Sequence, residues 1–436
     1  MPKPIKQKPL VASVPAATTR ASTAVAPKVA TGTAPSDAFT TDRRRLLDSP
    51  PPPAIPAERN PALDAEVSAR RAASGFSASR RAEVIQVGTY NLGRGNIEPN
   101  AYNDGARFHI DETARHLARE VMKPVGGLDV VMLQEFSTIR GATENPADNP
   151  HYTSLMLGAV FRESLGADWE GATLSWQSVD DHGQELNFSP NAHATTRVTA
   201  TLPDGTTRTV DLKTERLDST GEAFTGSGPA PATVTTMTLP PGRTYTLAFG
   251  ASDAGSDSNY GNAILLGPGR QIPRRDDGSI DPRAFEVITL GADEDGEVRT
   301  ALSINARTPS GEDARFVATH FTAGGGQPDT LARQMQYRAL FDHTRSLDDQ
   351  EVVVGGDFNS TPTRPAANFF ESSVLERFSP PTYPHTAEGG LRSTDTGLGG
   401  IDHVLHSDNV STTGPTNVVE GGGSDHLLVE TEVKLG

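Results

Sequence analysis

The chain of 436 residues contains no cysteine. Disulfide bonds, thiolate metal sites and a cysteine nucleophile are therefore excluded together. The chain also lacks an apolar run of about 18 residues, the length that a membrane-spanning helix needs, so we expect no transmembrane segment. Near the N-terminus, Pro9 and Pro15 interrupt the stretch after three lysines, so we expect no clear secretory signal peptide there. The compartment stays open, and the composition suits either a leader for a specialised export route or a flexible tether.

Basic residues are scarce after the first eighty positions. Residues 1–83 hold 13 Lys plus Arg against 7 Asp plus Glu, whereas residues 84–436 hold 26 against 48, a balance of −22. This acidity argues against tight, salt-driven binding of nucleic acid through a broad basic face. It does not exclude a nuclease, because a local basic rim and a bound metal ion can offset the field.

The first eighty residues differ in composition from the rest. Residues 1–36 are rich in Ala, Thr, Pro, Val and Lys without a helical or alternating period, and four prolines follow Ser49. Such a segment cannot bury a core, so we predict a disordered tail over residues 1–81, with a short helix over Asp64–Arg81. Residues 82–436 are long enough to form one large core and are predicted to form a single domain.

A buried strand near the C-terminus is followed by two polar side chains. Val352 to Val354 are β-branched, two glycines follow them, and Asp357 and Asn359 come next. This pattern predicts a strand covered on both faces, ending where the backbone approaches a ligand. Because side chains alternate along an extended segment, Asp357 and Asn359 are expected on the same side. Taken alone, the pattern fits an Asx turn equally well.

Other apolar runs also end in, or contain, a chemically active residue. These residues are Asn91 after 84–90, Glu135 after 128–134, His320 after 314–319, Asp402 within 400–405, and Asp425 and His426 before 427–429. Each one alone is more often a turn or cap residue. Together they supply amide, carboxylate and imidazole groups. Hard oxygen ligands suit Mg²⁺, Mn²⁺ or Ca²⁺, and imidazoles suit proton transfer or phosphate binding.

The order of these motifs resembles the endonuclease/exonuclease/phosphatase superfamily. This superfamily includes DNase I-like nucleases, AP endonucleases, neutral sphingomyelinases and inositol polyphosphate 5-phosphatases. The matching segments, between residues 84 and 432, are Thr89-Tyr-Asn91, Leu133-Gln-Glu135, Gly261-Asn-Ala-Ile-Leu265, Arg299-Thr-Ala-Leu302, Ala318-Thr-His320-Phe321, Gly356-Asp-Phe-Asn359, Ile401-Asp-His403 and Ser424-Asp-His426. The resemblance implies an α/β fold, a four-layer sandwich of two mixed β-sheets flanked by helices.

The resemblance also implies a role for each of these polar residues. The metal ligands would be Asn91, Glu135 and Asp425, with Mg²⁺ as the expected ion and Mn²⁺ or Ca²⁺ as alternatives. The catalytic residues would be His320, Asp357, Asn359, Asp402 and His426, and Arg299 would bind phosphate.

Phosphodiester cleavage needs an in-line nucleophile, charge neutralisation and help for the leaving group. Asp357 would activate the water, and His426, kept protonated by Asp402, would donate hydrogen bonds to the phosphate. Activation of the water by the metal is an equal alternative.

Between the Glu135 strand and Gly261 the chain is longer than the superfamily usually has. Thr/Val alternation on both sides of Asp204-Gly205 predicts a β-hairpin, and residues 233–239 and 244–249 predict further strands. Residues 180–242 are therefore predicted to be a β-rich insertion, either a substrate-selecting arm or a passive elaboration. Helices are predicted over Asp111–Met122 and Asp329–Leu347.

Some subgroups of the superfamily fit less well. The 5-phosphatases carry Trp and Cys near the position of Asp402, and this chain has neither there. The residues after Asn91 and Glu135 differ from those of AP endonucleases. We therefore expect a monomeric, divalent-metal-dependent phosphodiesterase that acts on nucleic acid. The alternatives are a phospholipid or small-phosphoester hydrolase, such as a sphingomyelinase, and a non-catalytic binding protein on the same fold.

Overall fold

The structure is a computed structural model. It describes residues 83–93, 110–137, 152–179, 195–225, 230–252, 260–293, 296–308, 311, 313–324, 326–347, 350–360, 378–379, 400–407, 409–414, 416–420, 424 and 426–436. The predicted tail over residues 1–81, its predicted helix and Asp425 lie outside these residues. Within the part of the chain that is described, no helix is both long and apolar enough to cross a membrane.

Seventeen strands and three α-helices make up the described fold. The strands in chain order are β1 (Glu83–Asn91), β2 (Val130–Ser137), β3 (Thr173–Val179), β4 (Thr195–Thr201), β5 (Thr207–Leu217), β6 (Ala232–Leu239), β7 (Arg243–Ala251), β8 (Tyr260–Leu266), β9 (Phe285–Ala292), β10 (Val298–Arg307), β11 (Asp313–His320), β12 (Glu351–Asp357), β13 (Phe378–Ser379), β14 (Asp402–Ser407), β15 (Ser411–Thr412), β16 (Asn417–Val419) and β17 (Leu428–Leu435). The helices are α1 (Ile110–Met122), α2 (Tyr152–Ser164) and α3 (Gln327–Arg345). Single 3₁₀ turns form at Ala167–Trp169 and Pro282–Ala284.

The strands form two mixed sheets. The first sheet has eleven strands in the order β15-β17-β1-β2-β8-β7-β6-β5-β4-β3, with β16 also pairing with β17. The second sheet has six, in the order β13-β14-β12-β11-β10-β9. Each sheet contains one parallel pair, β1 with β2 and β11 with β12, and the other pairs are antiparallel.

Alternation along the strands separates the molecule into four layers. Val130 and Met132 of β2 face the apolar core between the two sheets, whereas Val131 and Leu133 face the core beneath α1 and α2. This period of two is what an extended strand imposes. A third core lies between the second sheet and α3. The predicted four-layer sandwich of two mixed sheets flanked by helices is confirmed.

The local predictions for helices and the hairpin are also confirmed. The helices predicted over 111–122 and 329–347 are α1 and α3. Gly205 adopts a φ of 85° in the turn between β4 and β5, where Leu202 N–H donates to Thr206 O at 2.9 Å. The strands predicted over 233–239 and 244–249 are β6 and β7, and with β3 to β5 they extend one edge of the first sheet.

Candidate active site

The polar residues predicted from the sequence converge because the strands that carry them end at the same place. In the first sheet β1 and β2 run parallel, with Asn91 opposite Gln134, so Asn91 and Glu135 reach the same edge. In the second sheet His320 lies opposite Asp357 in the parallel pair β11 and β12. Asp402, on the antiparallel strand β14, also lies opposite Asp357. Parallel strands and the start of an antiparallel neighbour therefore deliver these side chains to one site.

Asp357 lies at the centre of the site. Asn91 Nδ2 donates to Asp357 Oδ2 at 2.9 Å, although the two residues are 266 positions apart in the chain. The same oxygen lies 3.6 Å from His320 Nε2 and 3.8 Å from His426 Nε2. Glu135 Oε1 lies 3.8 Å from His320 Nε2 and accepts from Asn91 Nδ2 at 3.4 Å. One buried carboxylate therefore contacts groups from both sheets.

His426 is held by a buried carboxylate and by a short loop. Its Nδ1–H donates to Asp402 Oδ2 at 2.9 Å, and the Asp402 side chain is fully buried. Its backbone N–H donates to Ser424 Oγ at 3.1 Å, while Ser424 Oγ–H donates to Asn91 O at 2.6 Å. The remaining ring nitrogen, Nε2, therefore faces Asp357, and this arrangement fixes both the tautomer and the direction of the ring.

Two residues of the site adopt backbone angles that disfavour L side chains. Glu135 has a φ of 52° and Asn359 a φ of 48°. Glu135 lies where the register between β2 and β8 shifts, and this irregularity turns its side chain toward the site. Such conformations cost on the order of 1–3 kcal/mol each and persist where the surroundings hold them. Both strained residues belong to the candidate site, and backbone strain of this kind is typical of functional sites.

Asn359 contacts Asp357 with its backbone N–H and Phe321 with its side chain. Asn359 N–H donates to Asp357 Oδ1 at 2.8 Å, and Asn359 Nδ2 donates to Phe321 O at 2.9 Å. Phe321 N–H in turn donates to Asp357 O at 2.9 Å. These bonds tie the loop after β12 to the loop after His320. In the described geometry Asn359 orients the carboxylate of Asp357, and its own side-chain amide is directed to the backbone.

Arg299 contacts Nδ1 of His320, whereas Glu135 and Asp357 lie near the other ring nitrogen, Nε2. Its Nη1 lies 3.4 Å from His320 Nδ1, and its Nη2 pairs with Glu297 at 3.2 Å and with Asp293 at 3.9 Å. Because a guanidinium only donates, Nδ1 accepts and the ring proton of His320 sits on Nε2, toward Glu135 and Asp357. Phosphate binding by Arg299 stays a prediction, since two carboxylates already neutralise its charge.

The electrostatics of Asp357 follow from its burial. Burial, and next the charge of Asp402, raise the pKa of Asp357 to about 7, whereas His426 and the hydrogen bonds from Asn359 and Asn91 act in the opposite direction. A carboxyl group of this kind is balanced between its neutral and its charged form near neutral pH. That balance is typical of a group that exchanges protons or that needs a cation beside it.

The donor set fits a hard divalent cation. Asp357, Asp402 and His426 offer ligand atoms that all lie within 4.8 Å of one another. The carboxylate of Glu135 is close to them, because His320 Nε2 lies 3.8 Å from Glu135 Oε1 and 3.6 Å from Asp357 Oδ2. Carboxylate oxygens are what Mg²⁺, Mn²⁺ and Ca²⁺ prefer. Asn91 turns its nitrogen toward these carboxylates, and its Oδ1 accepts from Gly93 N–H at 2.9 Å. The ligand roles of Asn91, Glu135 and Asp425 stay predictions.

Several supporting residues were not identified from the sequence. Gln336 Oε1 accepts from Thr322 N–H at 3.0 Å, and Arg333 Nη1 donates to Thr322 O at 2.8 Å, so α3 clamps the loop after His320. Their spacing of three residues, on the buried face of a helix, is the signal that could have revealed them. His403, next to Asp402, lies 2.9 Å from Ser360 O through Nε2 and packs against Phe358. Burial lowers the pKa of His403.

A fold of two facing sheets with carboxylates and imidazoles at the strand ends defines a phosphoesterase of the DNase I-like class. The model of the Endonuclease/Exonuclease/phosphatase family matches residues 88–426, and the chain therefore belongs to this family. It is accordingly a phosphoric-ester hydrolase, and the family is generally dependent on divalent metals.

The chain is also similar to several solved structures. An endonuclease/exonuclease/phosphatase family protein from Bacteroides thetaiotaomicron is 12% identical with a TM-score of 0.42, covering 82% of this chain and 99% of its own. The human Nocturnin catalytic domain is 14% identical with a TM-score of 0.39, covering 81% and 97%. An endonuclease/exonuclease/phosphatase from Beutenbergia cavernae is 16% identical with a TM-score of 0.44, covering 81% and 72%. Comparison with curated protein sequences gives no significant match.

Proposed function

We propose that the chain is a divalent-metal-dependent phosphodiesterase that cleaves nucleic acid by in-line attack of an activated water. The observation that carries this proposal is the position of Asp357. One of its oxygens lies within 3.8 Å of the Nε2 atoms of both His320 and His426. A carboxylate between two imidazoles can take a proton from water on one side, while the imidazoles donate hydrogen bonds to a phosphoryl group.

The pKa of Asp357 suits a general base. A base works best when its pKa lies near the working pH, and burial raises the pKa of Asp357 to about 7. His426 has the matching role beside the phosphate, because its hydrogen bond from Nδ1–H to Asp402 at 2.9 Å directs Nε2 toward the site. His320 also directs its N–H toward the site, since Arg299 faces its other nitrogen.

A divalent cation, held by Glu135 with neighbouring oxygen ligands, would neutralise charge on the phosphoryl oxygens and on the leaving oxygen. The remaining work falls to residues of the chain. Asn91 bridges Glu135 and Asp357 through one amide nitrogen, so it keeps the two carboxylates at a fixed separation. Asn359 orients Asp357 from the opposite side.

A smaller substrate is the second candidate. Residues 84–436 carry a charge of −22, with 26 basic against 48 acidic residues. A long polyanion gains affinity mainly from many contacts with Lys and Arg, and such a surface supplies few of them. A phospholipid headgroup or a small phosphoester needs only the site itself.

The experiment compares substrates on the full chain with Mg²⁺, Mn²⁺ or Ca²⁺. The substrates are plasmid DNA, RNA, sphingomyelin and a bis-aryl phosphodiester. His426→Ala and EDTA should each abolish hydrolysis. His343→Gln, which removes an imidazole from the side of the second sheet that faces α3, serves as the matched control and should retain it.

The outcomes separate the substrate from the mechanism. Cleavage of DNA or RNA that is lost in His426→Ala and retained in His343→Gln supports the proposal. Cleavage of sphingomyelin or only of the small diester supports the second candidate and rejects the nuclease. Hydrolysis that survives His426→Ala, or no hydrolysis of any substrate with any of the three metals, contradicts the proposed site.

A further inference from the structure

A groove of about 740 Å³ lies between α1, α2 and the start of β3. Its volume falls within the range of sites that bind small molecules. The groove lies toward the end of the first sheet that is away from the candidate active site. Arg119 on the groove precedes Glu120, whose carbonyl accepts from Leu128 N–H just before β2. The extended chain from Leu128 to Glu135 is about 23 Å long, at about 3.3 Å per residue, so this part of the groove is far from Glu135.

Three arginines converge on this groove. Arg115 and Arg119 lie one turn apart on α1, and Arg162 lies in the last turn of α2. Arg119 Nε and Arg162 Nη2 both approach Glu163 Oε1, at 3.8 Å and 3.9 Å. Both contacts are ion pairs with one carboxylate oxygen, so Glu163 holds the two guanidinium groups near each other. Glu163 and Glu170 also line the groove, and the balance there is three basic groups against two acidic ones.

Basic residues outnumber acidic ones in the groove, whereas acidic residues outnumber basic ones in the chain around it. Residues 84–436 hold nearly two acidic residues for each basic one, 48 against 26. A local concentration of arginines within an otherwise acidic chain favours the binding of anions at that place. Arginine is also the side chain best suited to phosphate, because its planar fork donates two parallel hydrogen bonds.

Both tryptophans of the chain line the same groove. Trp176 is fixed by a hydrogen bond from Nε1 to Ser154 O at 3.1 Å, and it lies against Gly158 of α2, where an added Cβ would stand 3.3 Å from Nε1. Trp169 has the guanidinium of Arg208 at 5.7 Å from its ring centroid. The groove is therefore lined by two indoles as well as by three guanidinium groups.

We propose that this groove is a nucleotide-binding site, in which a nucleobase stacks against an indole of the groove and its phosphates contact Arg115, Arg119 and Arg162. Stacking on an aromatic side chain and pairing of phosphate with arginine are the two interactions that bind single nucleotides and strand ends alike. The site is separate from the hydrolytic centre. The proposal does not depend on which phosphoester the hydrolytic centre cleaves.

Intrinsic fluorescence tests the proposal directly, because every tryptophan of the chain lies at the groove. The full chain is titrated in EDTA with ADP, with an octathymidylate and with pyrophosphate, and tryptophan emission is followed with excitation at a wavelength that the bases do not absorb. Arg119→Ala removes one guanidinium that is largely exposed, so the fold should tolerate it. Arg275→Ala is the matched control, because it removes the same charge from an exposed ion pair with Glu222 elsewhere on the chain.

We expect a saturable change of emission with ADP or with the octathymidylate, and a dissociation constant raised about tenfold by Arg119→Ala and unchanged by Arg275→Ala. Saturation by ADP would identify a free nucleotide as the ligand, and saturation by the octathymidylate alone would identify a strand end. Equal binding of pyrophosphate would reject the stacked base. No saturable change, or one that both variants affect equally, would overturn the proposal. Hydrolysis by Arg119→Ala should equal that of the wild-type chain, and binding in EDTA is independent of whether hydrolysis is found.

Discussion

Replacement of His343 by glutamine should remove a pH dependence of stability that the wild-type chain carries. His343 lies on α3 with Nε2 at 3.2 Å from Ser303 Oγ. That hydroxyl accepts from Arg315 Nε at 2.7 Å, so its own hydrogen is available to the ring. Burial, and next the charge of Arg315, lower the pKa of His343 from 6.5 to about 4. Glu286 lies 3.7 Å from Nδ1, but it is half exposed, so its screened charge does not reverse this shift.

The direction of the effect follows from proton uptake. Between pH 6.5 and pH 4 the unfolded chain binds a proton at His343 that the folded chain does not bind. This contribution to stability is therefore complete above pH 6.5 and is lost as the pH falls toward 4. Integration over these two pKa values gives a loss of about 2 kcal/mol between pH 7.5 and pH 5. Glutamine can keep a hydrogen bond with Ser303 but does not titrate.

The assay is urea denaturation of the wild-type chain and of His343→Gln at pH 7.5 and at pH 5. Other groups titrate equally in both proteins, so only the difference between the two free energies of unfolding is used. We expect that difference to shrink, or to change sign in favour of the variant, by about 2 kcal/mol at the lower pH. Parallel pH profiles, within about 0.5 kcal/mol, would refute the placement of a neutral, buried His343 beside Arg315.

Three further predictions concern the active site. Gly356→Ala should destabilise the chain by about 2–4 kcal/mol and abolish hydrolysis, because its Cβ would meet the backbone oxygen of Thr319. Gly355→Ala should cost less, about 1–2 kcal/mol in denaturation experiments, because its Cβ would meet the flexible end of Met132 and, at 3.1 Å, the Cβ of Thr89 but no backbone atom. Asp402→Asn should lower kcat at least about a hundredfold and leave KM nearly unchanged, since it removes the carboxylate that orients the ring of His426, and an equal kcat would contradict the pairing. Addition of Mg²⁺ should raise the melting temperature by a few degrees and EDTA should reverse this, whereas an unchanged melting temperature with every divalent ion would argue against a metal site.

The polar residues of the candidate site could be identified from the sequence because each stands beside a local apolar run. The site residues lie at or next to one end of an apolar run, after it as in Val352–Asp357 or before it as at Asp402. Such runs predict both the element and the place where it ends. The helix over Asp111–Met122 was predictable for a similar reason, because acidic residues at its start stabilise a helix N-terminus.

Contacts between distant residues were not predictable from such patterns. His320 meets Asp357 because β11 and β12 pair in parallel with one register, and a shift by a single residue would turn either side chain to the opposite face. Nothing local specifies that register. The position of Arg299 depends in the same way on the β-bulge between Arg299 and Thr300, which lies where the pairing of β10 with β9 shifts. The family resemblance implied that Arg299 contacts phosphate. The structure places Glu297 and Asp293 beside this arginine, and phosphate binding stays a prediction.

α2 was missed for a different reason. Its thirteen residues, Tyr152–Ser164, are apolar on most sides, so they show no stripe with a helical period. Such a segment resembles a buried strand as closely as a buried helix. The structure explains the composition, since α2 packs in the core beneath the first sheet and also carries the wall of the groove.

The candidate site depends on how the two sheets are held together. Asn91 and Glu135 come from the first sheet, whereas His320, Asp357 and Asp402 come from the second. The Asn91 to Asp357 hydrogen bond of 2.9 Å joins the two halves directly, but one bond of this kind contributes only about 1 kcal/mol. The apolar core between the sheets must therefore set their separation, because each fully buried aliphatic side chain in it contributes about 1.5–3 kcal/mol. Substitutions in this core, far from any charged group, should consequently alter the distance between Glu135 and Asp357 and act on catalysis as well as on stability.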